Sequence, residues 1–432
     1  MLGHRAGSAL AALLLITTPA AAQTLVDRIH QLFTFGDCGE PLCLAGSLAG
    51  SAFTQRHGSH FIPAAGSANA SVIDFITNAT AVYTSFLPLG STSGGVTFKF
   101  VGGLPVKTSE SSGPIFGERA PTLGRNRFLI GAYVSGIRFT SVRGLPMDNL
   151  SFNFTHQDTP PIGQLGNPSF ENDVINVQMS LYIDQVVSSF FLTYGLLDKV
   201  DLSVAVPLVH SSVEGGSIGQ IVPFGPGTPH FFGGDSLNPI IRASAATSGS
   251  ATGIGDVAGR LKVNLHDEQK FSLALLGEAR FPTGDPDNFT GSGQFSGRIL
   301  AVYSGRYGGF EPNANVGYVN RRGDLFNDGF LANAGFDQLI GSWATLAVEV
   351  LSEWQLGHSK LTLPGPVQYN TPYTRTVEPT QIPNQADNRA AGSVGFKFRS
   401  GATTFVTNAL VPILRGGVSP DIVWTLGAEF NF

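Results

Sequence analysis

The C-terminal segment limits the possible folds more than any other part of the chain. Ile422, Trp424, Leu426, Ala428, Phe430 and Phe432 fall on one face of an extended strand, and Val423, Thr425, Gly427, Glu429 and Asn431 on the other. Side chains alternate across a strand with period two, so this stretch is apolar on one side and mostly polar on the other. The pattern repeats at 253–265, where Val257, Gly259, Leu261, Val263 and Leu265 oppose Asp256, Arg260, Lys262 and Asn264. It repeats again at 271–281, with Phe271, Leu273 and Leu275 against Ser272, Glu278 and Arg280. At 343–355, Leu346, Val348, Val350 and Trp354 oppose Thr345, Glu349, Glu353 and Gln355.

Alternation alone suits a soluble sandwich, which buries the apolar face, or a transmembrane barrel, which turns it to lipid. Connection lengths choose between them. Short links fall near residues 197–199, 266–269, 306–308, 341–342 and 400–401, and long ones at 214–251, 284–294, 321–328 and 357–388. Short turns on one side and long loops on the other mark an outer-membrane barrel. About fourteen strands are expected, near 94–103, 126–141, 149–157, 174–195, 200–213, 252–265, 270–283, 295–305, 309–320, 329–340, 343–356, 389–399, 402–412 and 421–432. The expected fold is therefore all-β: a closed antiparallel transmembrane β-barrel over residues 94–432. Arg138 and Gln185 break the alternation in the early strands.

Composition agrees. Glycine supplies 54 of 432 residues, about 12% against a usual ~7%, while charged residues are only 13%. The chain is too apolar for disorder. Two cysteines exclude a disulfide-dense scaffold, and a formal net charge of −5 disfavours nucleic acid as a partner.

Arg5, the apolar run at 9–16 and Ala20-Ala21-Ala22 before Gln23 predict a cleaved export signal over 1–22. Residues 23–93 form a short pre-barrel segment, a candidate plug. In it Leu25, Ile29, Leu32 and Phe33 share one helical face, and a second apolar stretch, 72–86, suits helix or strand. Cys38 and Cys43 are expected to pair in the oxidising periplasm. The terminal Phe432 resembles the signal read by the barrel-assembly machinery.

Several phrases resemble the outer-membrane transporter family named for the meta-pathway of phenol degradation. They are Gly113-Pro114-Ile115-Phe116-Gly117-Glu118-Arg119 with Leu123-Gly124-Arg125, Phe170-Glu171-Asn172-Asp173-Val174, and Tyr194-Gly195-Leu196-Leu197-Asp198-Lys199-Val200-Asp201. Gly253-Ile254-Gly255-Asp256-Val257 and Phe281-Pro282-Thr283-Gly284-Asp285 complete the set. The resemblance implies a barrel related to the fatty-acid importers, passive uptake of hydrophobic or aromatic compounds, and no catalytic residues.

The polar faces place Asp256, Arg260, Lys262, Glu278, Arg280, Arg298, Glu311, Glu349, Glu353, Lys397, Arg399 and Glu429 in the lumen. They read either as a mixed-charge wall along the substrate path or as a structural network filling the interior. Facing Arg/Lys and Glu positions on the strands around 260 and 278 should pair. Placement in lipid is excluded by a cost of about 2–4 kcal/mol per midplane Arg or Lys. The expected partners are outer-membrane lipids and a small-molecule solute. No metal or cofactor is expected: Asp285-Pro286-Asp287-Asn288 lacks the spacing of a calcium loop, and Gly253-Ile254-Gly255 is followed by a strand rather than the helix of a dinucleotide site. His210-Ser211-Ser212 is the only local hint of a hydrolase, and the chain is read as a non-enzyme. A charged lumen suits polar solutes better than greasy ones, and a lipid-side exit through the wall would reconcile the two.

Overall fold

The computed structural model describes residues 23–33, 35, 62–86, 91, 98–101, 104–107, 111–154, 173–223, 231–234, 237–323, 326–361, 365–369 and 373–432. The export signal, Cys38 and Cys43 lie outside them.

Twelve strands close into one barrel: β1 (Phe128–Val142), β2 (Val174–Leu197), β3 (Val200–Val222), β4 (Val257–Asp267), β5 (Phe271–Phe281), β6 (Ser296–Gly305), β7 (Phe310–Arg321), β8 (Gly329–Ile340), β9 (Ala344–Gln355), β10 (Arg389–Ser400), β11 (Thr403–Arg415) and β12 (Val418–Asn431). Each strand pairs antiparallel with its neighbours in sequence, and β12 returns to β1. The seam is finished by Phe128 and Phe432, whose backbones exchange hydrogen bonds at 3.2 and 2.9 Å. Closure leaves these twelve strands without the edge that an open sheet exposes.

The count is twelve rather than fourteen. Residues Phe98–Val101 and Leu104–Lys107 form a separate hairpin with four-residue arms. Leu150–Phe154 pairs with β2, and Phe152 makes a single bridge to Thr380. At ~3.3 Å per residue such arms span roughly 13–17 Å, too short for a tilted crossing. Conversely, β3 continues to Val222, inside the loop expected at 214–251, and Arg242–Ile254 forms a strand along it that runs from that loop into the first residues of the strand expected at 252–265. The distal halves of β2 and β3, flanked by Leu150–Phe154 and Arg242–Ile254, make a four-stranded sheet beyond the long-loop end of the barrel.

Facing follows the alternation. All three tryptophans point outward, with Trp343 and Trp424 each 59% exposed and Trp354 43%. Tyr318, Phe330 and Trp354 sit at facing positions on three adjacent strands, an aromatic row near the long-loop end. Phe128, Tyr307, Phe310, Trp343, Phe405 and Phe432 are exposed near the short-turn end. From Phe271 to Phe281, ten steps of ~3.3 Å tilted at ~40° rise about 25 Å, the height of the apolar band on such barrels. Arg138 also points outward, in a two-pronged ion pair with Asp184 at 2.7 and 3.1 Å, whereas Gln185 points inward and is buried.

Two helices precede the barrel. In α1 (Leu25–Gln31) Thr24 and Asp27 form a capping box, which satisfies backbone donors that the first turn leaves free. Leu25, Ile29, Leu32 and Phe33 are buried as their shared face requires, and Phe33 packs edge-on to Phe152 and Phe154. Helix α2 (Ile62–Phe86) is buried nearly all round over 72–83, as expected of a helix surrounded by protein. Its Tyr83 meets Phe139, its Phe75 stacks on Phe326, and Thr84 donates to Gln185 at 2.8 Å. No described helix is long and apolar enough to cross a membrane.

Candidate functional site in the barrel lumen

Residues 111–124 make no helix or strand, yet most are buried. Their backbone must therefore find partners elsewhere, and inward-facing side chains of the wall supply them. Ser112 N donates to Thr345 Oγ1 at 3.0 Å, Glu118 N to Asn315 Oδ1 at 2.8 Å, and Ala120 N to Ser304 Oγ at 3.0 Å. Leu123 N donates to both Asp201 oxygens at 3.1 Å. Glu349 accepts from Phe116 N at 3.0 Å and Gly117 N at 2.5 Å. Going the other way, Lys262 donates to the Pro121 and Arg119 carbonyls at 3.0 and 3.3 Å, and Asn264 to that of Ala120 at 3.1 Å.

Two glycines make this strap sterically feasible. A Cβ on Gly117 would lie 2.8 Å from Glu349 Oε1, and one on Gly195 would lie 1.8 Å from the Gly124 carbonyl oxygen. Each belongs to a phrase that carried the family resemblance, so the strap and the β2–β3 turn are fitted to each other.

The inward charges pair in several groups. Arg119 is paired with Glu311 and, at 2.9 Å, with Asp337, while Ser111 bonds Asp337. Lys397 reaches Glu429 at 2.9 Å, and Tyr133 donates to the same carboxylate. The largest group is a row across three strands. Arg260 faces Glu278, which faces Arg298. The Glu278 carboxylate takes Arg260 at 2.5 Å, Arg280 at 2.7 Å and Arg298 at 2.8 Å. Glu118 of the strap stands 3.5 Å from Arg260. Further along, Arg321 pairs with Glu353 at 2.6 Å, and Arg389 faces Glu353 across the sheet.

Asp256 has a different task. It accepts from Gly284 N, Ser292 N and Ser292 Oγ at 3.2, 2.8 and 2.5 Å. Thr283 Oγ1 donates to the Gly255 carbonyl at 2.6 Å. The phrases at 253–257 and 281–285 thus lock together, and Asp256 draws the following loop, 284–292, inward. This places Phe289 in the lumen with positive φ, its carbonyl accepting from Gln185 and Ser211. Asp285 is spent capping the short turn Pro286–Asn288.

Of the twelve expected lumen residues, ten are buried and Arg298 is half-buried with its guanidinium in the network. Arg399 stands apart, bonded to the Ser342 carbonyl at the short-turn rim. The reading of the wall missed Glu118, Arg119, Asp201, Asp337, Arg321 and Arg389. Asp337 and Arg389 were legible from the same alternation, whereas Glu118 and Arg119 have no periodic context. His210 points outward to Thr252, and Ser211 points inward to the Phe289 carbonyl, so the two cannot act as a pair.

Two small clefts in the lumen share Arg280. One, of about 20 Å³, is lined by Ala81, Val187, Pro207, Val209, Asp256 and Phe289 as well as Arg280. The other, of about 30 Å³, is lined by Glu278, Arg280, Arg298, Arg321 and Glu353, with Val319 and Leu331.

Comparison with known proteins agrees with the resemblance in the sequence. The family model described as "Putative MetA-pathway of phenol degradation" matches residues 172–329. No curated protein matches the chain. Among solved structures, similarity extends to the COG4313 outer-membrane channel from Pseudomonas putida F1, at 12% identity and a TM-score of 0.44, covering 72% of this chain and 98% of that one. A FadL homologue from Pseudomonas aeruginosa matches at 10% identity and a TM-score of 0.32, covering 72% and 91%. The CymD monoaromatic hydrocarbon channel matches at 10% and 0.33, covering 72% and 89%.

Proposed function

We propose that this chain is a bacterial outer-membrane channel for passive uptake of small hydrophobic or aromatic compounds, and that it is not an enzyme. The observation that carries the reading is the inverted distribution of polarity. The twelve-stranded wall turns its aromatics and aliphatics outward and keeps its charges inside, the arrangement for lipid outside and solute within. The aromatic substrate class rests on the family match over 172–329. In this account α1, α2 and the strap at 111–124 form a plug, which extends the pre-barrel segment from 23–93 to the residue before β1. The lumen charges hold that plug, and Phe432 at the seam serves barrel assembly.

Conductance of the refolded chain in a planar bilayer tests the proposal. A steady current depressed by an added aromatic solute is expected. The burial of the strap favours a second reading, a structural or adhesive barrel with a permanently plugged lumen. A silent bilayer from protein whose gel mobility is heat-modifiable, as for a folded barrel, would favour that reading instead.

A further inference from the structure

The segment before β1 has its two ends at opposite ends of the barrel. At the short-turn end, Thr122 Oγ1 donates to the Asp198 carbonyl in the β2–β3 turn at 2.7 Å, and Asn126 N donates to that of Gly195 at 2.8 Å. At the long-loop end, α1 lies on the four-stranded sheet that stands beyond the wall. The sheet meets it with small residues. Gly215 and Gly219 of β3 pair with Thr247 and Ala243 of the strand Arg242–Ile254. A Cβ on Gly215 would lie 2.8 Å from Leu32 Cδ1, one on Gly219 3.1 Å from the Phe35 ring, and one on Gly249 3.2 Å from Leu25 Cδ2. Glycine is the residue that permits such close approach, so the sheet is a seat fitted to this helix. Three polar bonds complete it. Thr247 Oγ1 donates to Gln31 Oε1 at 3.1 Å, Ser217 Oγ donates to the Leu32 carbonyl, and Leu25 N donates to Asn288 Oδ1 of the inward loop at 3.2 Å. On its other side α1 touches α2. The remaining face, with Gln23, Asp27 and His30, is exposed.

We propose that α1 is a cell-surface latch: the N-terminus left by cleavage after Ala22 is displayed outside the cell, and α1 on its glycine seat holds α2 and the inward loop in the outer mouth of the barrel. Short turns face the periplasm and long loops the exterior in such barrels, which sets the side on which α1 lies. The proposal rests on the channel reading and adds a regulation to it. The strap closes the lumen near the short turns and α1 closes it near the long loops. Passage then needs both to be released, and a solute arriving from outside meets α1 first. The seat also accounts for the composition of the strand Arg242–Ile254, in which Ala243, Ala245, Thr247, Gly249 and Ala251 turn toward the helix and leave it room.

The first test reads the side on which α1 lies. His30 and Lys199 are both exposed, one on α1 and one in the β2–β3 turn. In the full chain carrying Cys38→Ser and Cys43→Ser, His30→Cys should react on intact cells with a maleimide polymer too large to cross the outer membrane. Lys199→Cys should react only after permeabilisation. Reaction of His30→Cys confined to permeabilised cells, or absent from both, would overturn the proposal. The second test reads the latch. Gly249→Leu overfills the seat, and overpacking of this kind shifts an equilibrium by about tenfold or more. Proteolysis within α1 and open events in a planar bilayer should both rise by about that factor, with cleavage of 111–124 unchanged. Leu32→Ala empties the seat without touching the sheet; it should act in the same direction, and it keeps the test decisive if Gly249→Leu fails to fold. Cleavage of α1 that rises while open events stay constant would overturn the latch, since α1 would then be a tether only. A barrel that conducts and ignores both substitutions loses the latch alone. A folded barrel that is silent as wild type, as Gly249→Leu and as Glu349→Ala loses the channel reading and the latch with it.

Discussion

Glu349→Ala should release the strap without opening the barrel. The Glu349 carboxylate is buried and accepts from two consecutive backbone donors, Phe116 N at 3.0 Å and Gly117 N at 2.5 Å. Hydrogen bonds to a charged group contribute about 1.5–3 kcal/mol each, so two give about 3–6 kcal/mol. Water entering the space left by the side chain recovers part of this, which leaves about 3 kcal/mol. At about 1.4 kcal/mol per factor of ten, the strap-released population rises by roughly two orders of magnitude. The lost bonds join strap to wall, whereas the ladder of β9 to β8 and β10 is backbone and stays intact. The assay is single-channel recording with limited proteolysis of residues 111–124 in the same liposomes. Open events and strap cleavage should both rise about a hundredfold while the heat-modifiable band is unchanged, and Glu349→Gln, which keeps one acceptor oxygen, should show a smaller rise. Unchanged opening and cleavage in Glu349→Ala would refute the idea that these two bonds hold the strap.

Three further outcomes follow from the geometry. Gly195→Ala places a Cβ 1.8 Å from the Gly124 carbonyl oxygen; one of the two chains must shift, and the yield of heat-modifiable barrel should fall sharply in refolding assays. Leu275→Arg puts a charge at mid-height on the outer face of β5, and should destabilise folding into lipid by about 2–4 kcal/mol in denaturant titrations. Bonding to Thr24 lowers the Asp27 carboxyl below the usual carboxylate range, so its contribution to α1 is complete above the unfolded value and is lost as pH falls through the lowered one. Proteolysis within α1 should therefore increase in that acidic window, and Asp27→Asn should abolish the pH dependence.

Much of the wall was legible because its chemistry alternates. From β4 to β12 every expected strand is present, since each has aliphatic or aromatic residues against polar ones. The strand Arg242–Ile254 was hidden because between its two ends it has only Ser, Ala, Thr and Gly on both faces, and without contrast there is no period to read. The segment at 94–103 misled in the opposite way, because its alternation serves a small hairpin rather than a crossing. The inward charges were legible as a class, and the Arg260–Glu278 pair followed from strand adjacency. Their partners were not. The strap has no period, and its donors meet acceptors some two hundred residues away, as Glu118 N meets Asn315. Arg138 broke the alternation because it pairs with Asp184 on the outer face, and Gln185 because it serves Thr84 and Phe289 inside.

Action as an outer-membrane channel depends on the apolar face meeting lipid, and the chain carries its own reporters for that. Its three tryptophans, Trp343, Trp354 and Trp424, all lie on the outer face. Tryptophan fluorescence of the refolded chain in bilayers of brominated phospholipid measures that contact directly. A lipid-facing surface gives strong quenching that depends on bromine depth, with Trp343 and Trp354 toward opposite interfaces in single-tryptophan variants. Fluorescence insensitive to brominated lipid in a folded barrel would contradict it, because the same surface would then be facing water or protein.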